Sequence, residues 1–449
     1  MKKVHFIGIG GVSMSGLAQI MLARGYEVSG SDQKSTEMTK HLEDLGIRVY
    51  IGQKASNIAD DLSLIVYTAA IHEDNPELAA ARASGATVIE RAVLLGQLMD
   101  EYPVSIAIAG THGKTSTSSM ASYIFMEAGL DPTVTVGGIL HNLQSNFRIG
   151  NSQYFIAEAC EYSDSFLHFH PKVSVITNIE AEHLDYFKDL DAIHASFQKF
   201  VAGMKPDGTL ILEKELLPLF QWFSGTILTV SLDGDADVTC SQIEHHREGL
   251  GSSFHIVYHG QDLGAVDLFV PGCHNIFDAL CAAGTALCQG VPFDSIRQGL
   301  SQYKSTKKRF EYKGTVGGVT IIDDYAHHPS EIRATLLAAS EVPHRELYVV
   351  FQPHTYSRTK AFLKEFAQAL SLADHVVLAD IYSAREKDLG EIHSSDLCRE
   401  LRKLDKDCHY FGTFDEIENF LLKNCSPKDL LITMGAGDIV IIAEDLLGK

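Results

Sequence analysis

No C-x-x-C pair, internal repeat, low-complexity tract or apolar run of 18 residues occurs in this chain, and basic charge is scarce. Without a long apolar run there is no candidate for a membrane-spanning helix, which needs about 20 such residues. Lys and Arg total 37 against 58 Asp and Glu, a formal net charge of −21. Such a chain repels phosphate backbones, which excludes a non-specific nucleic-acid-coating role. An anionic small molecule would need a local site of backbone N–H groups, a metal ion or a few Lys and Arg residues. The eight cysteines are Cys160, Cys240, Cys273, Cys281, Cys288, Cys398, Cys408 and Cys425. Their scatter fits neither a zinc ribbon nor a disulfide framework, so reduced, mostly buried thiols in a cytoplasmic protein are expected.

Hydrophobic residues make up 45% and charged residues 21%, an ordinary globular balance that excludes wholesale disorder. At about 100–200 residues per domain, 449 residues imply two to four domains. The start, Met1-Lys2-Lys3 and then Val4-His5-Phe6-Ile7, has the charge and apolarity of a signal peptide. Glycines interrupt the run and no small-residue cleavage site follows, so strand, turn and helix explain it better. Strand-like runs alternate with helical patterns almost throughout, as in parallel sheets with covering helices. Strands are expected at 4–9, 26–30 and 64–68, with a helix at 14–24. The pattern restarts at 104–109, turns β-rich between 208 and 270, and returns to helix at 274–289. A last series has strands at 319–322, 347–351, 375–379 and 430–433. Polar, basic 304–313 reads as a linker, giving three α/β domains in a row.

Gly110-Thr111-His112-Gly113-Lys114-Thr115 follows a strand and opens a helix expected at 116–128. Glycines let backbone wrap a phosphate, Lys114 would reach the β- and γ-phosphates, and the Thr115 hydroxyl would ligate Mg²⁺. Ile108 stands where the full P-loop pattern has glycine, so this is a G-x-x-G-K-T variant. A second glycine turn, Gly8-Ile9-Gly10-Gly11-Val12-Ser13, follows the first strand, with serine in place of the third fingerprint glycine and Asp32 placed for a ribose. NAD, FAD and a sugar nucleotide all fit it. Two further strand ends carry Glu158-Ala159-Cys160-Glu161 and Asn178-Ile179-Glu180-Ala181-Glu182-His183-Leu184-Asp185. Ligands of open α/β sheets bind at the carboxyl ends of strands. Glu158 and His183 would thus face the P-loop and could hold a divalent cation. Asp323-Asp324-Tyr325-Ala326-His327-His328 and Gln352-Pro353-His354-Thr355-Tyr356-Ser357-Arg358 end strands of the third domain. Adjacent side chains diverge, so at most one of the two histidines should face the same site as Asp324.

Together these motifs resemble the Mur ligase family, ATP-dependent ligases that build the peptidoglycan precursor in the cytoplasm. The resemblance covers essentially the whole chain and rests on 8–16, 110–115, 158–167, 177–185, 274–275, Arg309-Phe310-Glu311, 323–329 and 351–359. It implies three consecutive α/β domains: a Rossmann-like UDP-binding domain (1–103), a central P-loop ATPase domain with a β-rich insertion (104–312) and a Rossmann-like C-terminal domain (313–449). The implied reaction joins L-alanine to the carboxylate of UDP-N-acetylmuramate through an acyl phosphate, with ATP and Mg²⁺ and with neither nucleic acid nor membrane as partner. By resemblance, Gly8, Gly10, Gly11, Ser13, Ser31, Asp32, Thr68 and Ala69 hold the UDP portion. Gly110, Thr111, His112, Gly113, Lys114, Thr115 and Ser116 form the ATP loop. Thr115, Glu158 and His183 are metal ligands, His274 and Asn275 contact adenine, Arg309 reaches the phosphates and Asp324 binds ribose. His327, His354 and Arg358 lie where the family positions the sugar-nucleotide carboxylate and the amino acid. Cys160, Asp278 and Thr355 depart from the family pattern, and Lys199 is not assigned a role. Rival readings are a tripeptide-recycling ligase, folylpolyglutamate synthetase, an oxidoreductase fused to an ATP module and a nucleotide sensor.

Overall fold

Short apolar runs bounded by glycine become central parallel strands because both faces of such a sheet are covered. Lys3–Ile7 is buried in all but its first residue. It lies in a five-stranded sheet of order Arg48–Ile51, Glu27–Asp32, Lys3–Ile7, Leu64–Tyr67, Thr87–Glu90, all parallel. The computed structural model describes residues 2–140, 142–183, 186–246, 250–384 and 386–449. Leu184 and Asp185 of the second strand-end motif, and Met1, lie outside the described residues.

The chain divides into two compact units. The first comprises residues 1–239, 257–261 and 278–299, and the second 240–256, 262–277 and 300–449. The first unit holds the five-stranded sheet and a larger one. In the larger sheet Val104–Ala109 is central, with Val173–Ile176, Thr209–Glu213 and Thr226–Val230 to one side and Tyr154–Glu158, Thr133–Leu140 and Ser145–Arg148 to the other. All these pairs are parallel except the last, Thr133–Leu140 with Ser145–Arg148. The expected β-rich stretch supplies Val238–His245, Ser252–Tyr258 and Gln261–Leu268. The second unit contains a sheet of order Glu311–Val316, Val319–Asp324, Leu430–Met434, Leu347–Phe351, His375–Leu378, Asp407–Tyr410. Only its first pair is antiparallel.

Several boundaries differ from the sequence expectation. The helix expected at 116–128 spans Lys114–Glu127. Gly113, at φ +83, turns the chain early, so Lys114 and Thr115 enter the first helical turn. The strand expected at 26–30 is Glu27–Asp32, which places Ser31 and Asp32 at its carboxyl end. The helix expected at 14–24 is Val12–Ala23, and that at 274–289 is Cys273–Leu287. Residues 304–313 are not a solvated linker. Ser305, Thr306 and Phe310 are buried, and strand Glu311–Val316 begins inside the segment. Positive φ at Ser305, Lys308 and Phe310 bends it back, so Phe310 N donates to Asp324 Oδ2 at 2.6 Å and Tyr325 N donates to Lys308 O at 2.7 Å. None of the eight cysteines forms a disulfide; four are buried and Cys273 is exposed. Among the described residues no helix is long and apolar enough to cross a membrane.

Candidate active site

In the first unit the order of the five strands reverses direction beside Lys3–Ile7, the place where open α/β sheets form a crevice. The glycine turn leaves from that strand. Gly8 and Ile9 donate their N–H groups to Ser31 O at 2.8 and 2.9 Å, and Gly10 N donates to Asp32 Oδ2 at 2.9 Å. A Cβ on Gly10 would lie 2.9 Å from that same carboxylate oxygen, so no larger residue closes this turn. A Cβ on Gly8 would meet Thr68 Cγ2 at 2.9 Å, which brings the 68–69 turn to the site. Gly11 N donates to Gly8 O at 3.2 Å, Ser13 Oγ accepts from Arg91 Nη1 at 3.0 Å, and Ala69 is exposed. The Ser31 hydroxyl points elsewhere: it donates to buried Glu77 at 2.7 Å, where His5 Nε2 also lies at 2.8 Å. Ser31 therefore holds the turn through its carbonyl.

The second glycine turn is braced by the neighbouring strand end. Thr111 N donates to Asn178 O at 3.0 Å, His112 N donates to Asn178 Oδ1 at 2.8 Å, and Thr177 Oγ1 donates to His112 O at 2.5 Å. Gly110 takes φ +132, and a Cβ there would run into Thr177, while one on Gly113 would run into the Asp278 carboxylate. Lys114 Nζ donates to Gly110 O, to Thr111 O at 2.9 Å and to Glu161 Oε2 at 2.9 Å. Burial works against the ammonium, but Glu161 and its neighbours outweigh it and raise the Lys114 pKa. Thr115 Oγ1 donates to Glu158 Oε2 at 3.0 Å, and Gly137 N donates to the same oxygen at 2.7 Å. Glu158 Oε1 takes no hydrogen bond among the described residues. A hydroxyl and a carboxylate with a spare oxygen are hard donors that fit Mg²⁺. Ser116 follows in the same helical turn, buried. His183, at φ +55, stands 3.7 Å from Glu161 Oε1 and packs on Tyr162. His112 lies 3.5 Å from Glu180.

Glu161 was not singled out from sequence, yet it joins Lys114 to His183. Its only sequence signal was a second carboxylate three residues after Glu158. Asn178 lay in the second strand-end motif but was given no role of its own, and Arg91 carried no motif at all.

The second unit gathers two further groups. His274 Nε2 lies 3.1 Å from Asn275 Nδ2, which also donates to Pro271 O at 2.7 Å. Desolvation by the groups packed around the ring, and then Arg309, lower the His274 pKa to about 4, although the residue keeps an exposed face. The Arg309 guanidinium lies over the Tyr325 ring at 5.4 Å and 3.7 Å from Glu331. Asp324 is buried, which raises its pKa, and it accepts from Phe310 N, Ala326 N and Thr335 Oγ1. Oδ2 thus braces the 304–310 turn, while Oδ1 holds Ala326 and Thr335. The second group is His327, whose ring centroid is 5.7 Å from that of His354, with Arg358 Nη1 donating to His354 Nδ1 at 3.1 Å. Of the adjacent histidines only His327 faces this group. His328 is buried, caps helix Pro329–Ser340 and packs on Phe362. Thr355, at φ +67, caps helix Tyr356–Ala361.

A strand–glycine loop–helix with lysine and threonine in its first turn, backed by carboxylates from the adjoining strand end, defines a phosphate-binding-loop α/β protein. Three family models match the chain: "Mur ligase family, catalytic domain" over 3–103, "Mur ligase middle domain" over 108–286 and "Mur ligase, glutamate ligase domain" over 308–437. The chain belongs to the Mur ligase family. It is 51% identical to the UDP-N-acetylmuramate–L-alanine ligase of Agathobacter rectalis, over 99% of this chain and 98% of that one. It is 49% identical to the protein of the same name from Lachnospira eligens, over 99% and 97%. The crystal structure of the UDP-N-acetylmuramate-alanine ligase of Thermotoga maritima superposes with a TM-score of 0.83 at 27% identity, covering 100% of this chain and 99% of that one.

Proposed function

We propose that this protein is an ATP-dependent ligase that joins L-alanine to the carboxylate of UDP-N-acetylmuramate, in cytoplasmic synthesis of the peptidoglycan precursor. The observation that carries the reading is the first unit's pairing of a braced phosphate loop with Thr115 and Glu158, in a chain half identical over its length to ligases of that name. In this reading residues 1–103 hold the UDP portion through Gly8, Gly10, Gly11, Ser13, Ser31, Asp32, Thr68 and Ala69. Residues 104–312 hold ATP, and 313–449 bring the amino acid through His327, His354 and Arg358.

A carboxylate is a poor electrophile because it is already an anion. In the first step a carboxylate oxygen of the substrate attacks the γ-phosphorus of ATP, and ADP leaves. In the second, the neutral amine of L-alanine attacks the acyl carbon, inorganic phosphate departs with the C–O electron pair, and the nitrogen loses a proton. The loop 110–116 wraps the phosphates, and Lys114 offsets charge that grows on the transferring group. Arg309 adds a second cation there, with His274 and Asn275 at adenine and Asp324 at the ribose. Thr115, Glu158 and His183 would hold Mg²⁺, which neutralises phosphate charge when bound. An ADP-release assay with UDP-N-acetylmuramate, ATP, Mg²⁺ and each amino acid in turn tests the proposal. Turnover should require the sugar nucleotide and an amino acid, with L-alanine best. Rapid ATP hydrolysis with neither present would refute it.

A further inference from the structure

Behind the first glycine turn, within the first unit, lies a carboxylate–imidazole pair shut off from solvent. His5, on strand Lys3–Ile7, and Glu77, in the first turn of helix Pro76–Ala83, have side chains 0% exposed, and His5 Nε2 stands 2.8 Å from Glu77 Oε1. A carboxylate so placed is costly unless hydrogen bonds use its oxygens. Asn57 Nδ2 donates to Oε1 at 3.2 Å, and the Ser31 hydroxyl donates to Oε2 at 2.7 Å. The far nitrogen of the imidazole, Nδ1, lies 2.8 Å from Ser29 Oγ. A carboxylate offers acceptors only, so the donors that converge on it fix its orientation. The two-step ligation described above uses neither His5 nor Glu77.

Two routes lead from Glu77 to the glycine turn. The first is Ser31, whose hydroxyl is held by Glu77 Oε2 and whose carbonyl takes the N–H groups of both Gly8 and Ile9. The second is Asn57, whose Nδ2 also donates to Gly52 O at 3.0 Å; Gly52 N donates to Asp32 O at 2.7 Å, and Asp32 Oδ2 accepts from Gly10 N. Glu77 thus reaches Ser31 and Asp32, the last two residues of strand Glu27–Asp32, from behind the site. Pairing with the first strand ends at Ile7 opposite Ser31, where that strand leaves into Gly8. On that side the sheet no longer fixes the strand end, and side chains must.

We infer that Glu77, oriented by His5, is a positioning residue for the sugar nucleotide: it sets the carboxyl end of strand Glu27–Asp32, and through Ser31 and Asp32 the glycine turn that receives the UDP portion. The inference rests on the sugar-nucleotide reading above and adds to it two residues too deeply buried to touch a substrate. It also gives the Ser31 hydroxyl its task, which is to link the buried carboxylate to the turn.

Strand Glu27–Asp32 supplies a matched pair of deletions. Ser31→Ala cuts the link from Glu77 to the turn, whereas Ser29→Ala removes a hydroxyl from the same network on the far side of His5. Titration calorimetry with UDP, UDP-N-acetylmuramate and ATP, beside steady-state ADP release and ligand-free melting, compares them. Ser31→Ala should weaken UDP about 5-fold, the net contribution of one hydrogen bond, and raise KM for UDP-N-acetylmuramate by a similar factor, with kcat and ATP affinity kept. Ser31→Thr restores a hydroxyl and should recover most of the loss. Ser29→Ala should bind UDP as wild type does, even if its melting temperature falls as far. Glu77→Met cuts both routes and should exceed Ser31→Ala; Glu77→Gln, whose amide can still meet Ser31 and Asn57, should lie between Glu77→Met and wild type. If Ser31→Ala and Ser29→Ala bind UDP alike, or if the loss in Ser31→Ala extends equally to ATP, the network is structural and the inference is overturned. Should the Glu77 variants not fold, the serine pair carries the comparison. A wild type that binds ATP but neither UDP nor UDP-N-acetylmuramate overturns the sugar-nucleotide reading itself, and this inference with it.

Discussion

Replacing Lys114 with methionine removes a charge that two different processes use. In the ligand-free protein its ammonium sits 2.9 Å from Glu161, with side chains 12% and 3% exposed. At an effective dielectric constant of about 20, that separation gives roughly 6 kcal/mol of gross attraction. Desolvation of both groups cancels much of it, so the pair itself adds little net stability. Breaking it is another matter. Lys114→Met leaves the Glu161 carboxylate buried with only His183 to pair it among the described residues, and stranding one member of a buried pair costs about 3–5 kcal/mol. The double variant Lys114→Met, Glu161→Gln removes both charges and should recover most of that loss. ADP release should fall by at least ~10² in both variants, because both lack the loop's own cation at the phosphates. Thermal or urea unfolding of the ligand-free proteins, beside the ADP-release assay, separates the effects. Equal stability of the single and double variants would refute the buried pairing. Near-normal turnover in either would remove Lys114 from the phosphate site.

Glu158→Gln keeps shape and loses ligand charge, so the Mg²⁺ titration of ADP release should move its midpoint upward; an unchanged midpoint would take Glu158 out of the metal shell. Arg309→Ala should lower kcat strongly with UDP-N-acetylmuramate affinity kept, while Lys307→Ala, at an exposed position, should be mild; equal behaviour would return Arg309 to a structural role. His274 titrates near 4 when folded against about 6.5 unfolded, so below pH 6.5 the unfolded chain binds the extra proton and stability falls as pH drops. The residue is exposed, so solvent screens the effect, and His274→Gln should flatten the urea midpoint between pH 7 and 5 by less than the full shift implies; an equally steep variant would show that another group titrates.

Much of the site was legible because its signals are local. A glycine loop between an apolar strand and a helix announces a phosphate site from a handful of consecutive residues. Strand ends bearing Glu158 and Asn178 announce carboxyl-edge groups in the same way. Strand and helix positions followed from apolar runs, while their ends shifted by a residue or two, as where the backbone of Gly113 decides where a helix begins. The sequence by itself thus determined the α/β class, the phosphate loop and the groups available at each strand end.

Pairings across the fold are set by which strands lie side by side, and no local pattern records that. Lys114 meets Glu161 because Val104–Ala109 pairs directly with Tyr154–Glu158, so the loop after one strand faces the exit of the other. Ser31 turns its hydroxyl to Glu77 because parallel pairing of Glu27–Asp32 with Lys3–Ile7 brings it into the network of His5 and Glu77. Residues 304–313 read as a linker, because composition sees charge and not the buried Asp324 that draws the backbone inward. Arg91 had no motif; only the tertiary fold set its guanidinium against Ser13. Residue chemistry was written along the chain, and tertiary structure decided which groups meet, because desolvation and charge pairing act only between side chains that the fold has brought together.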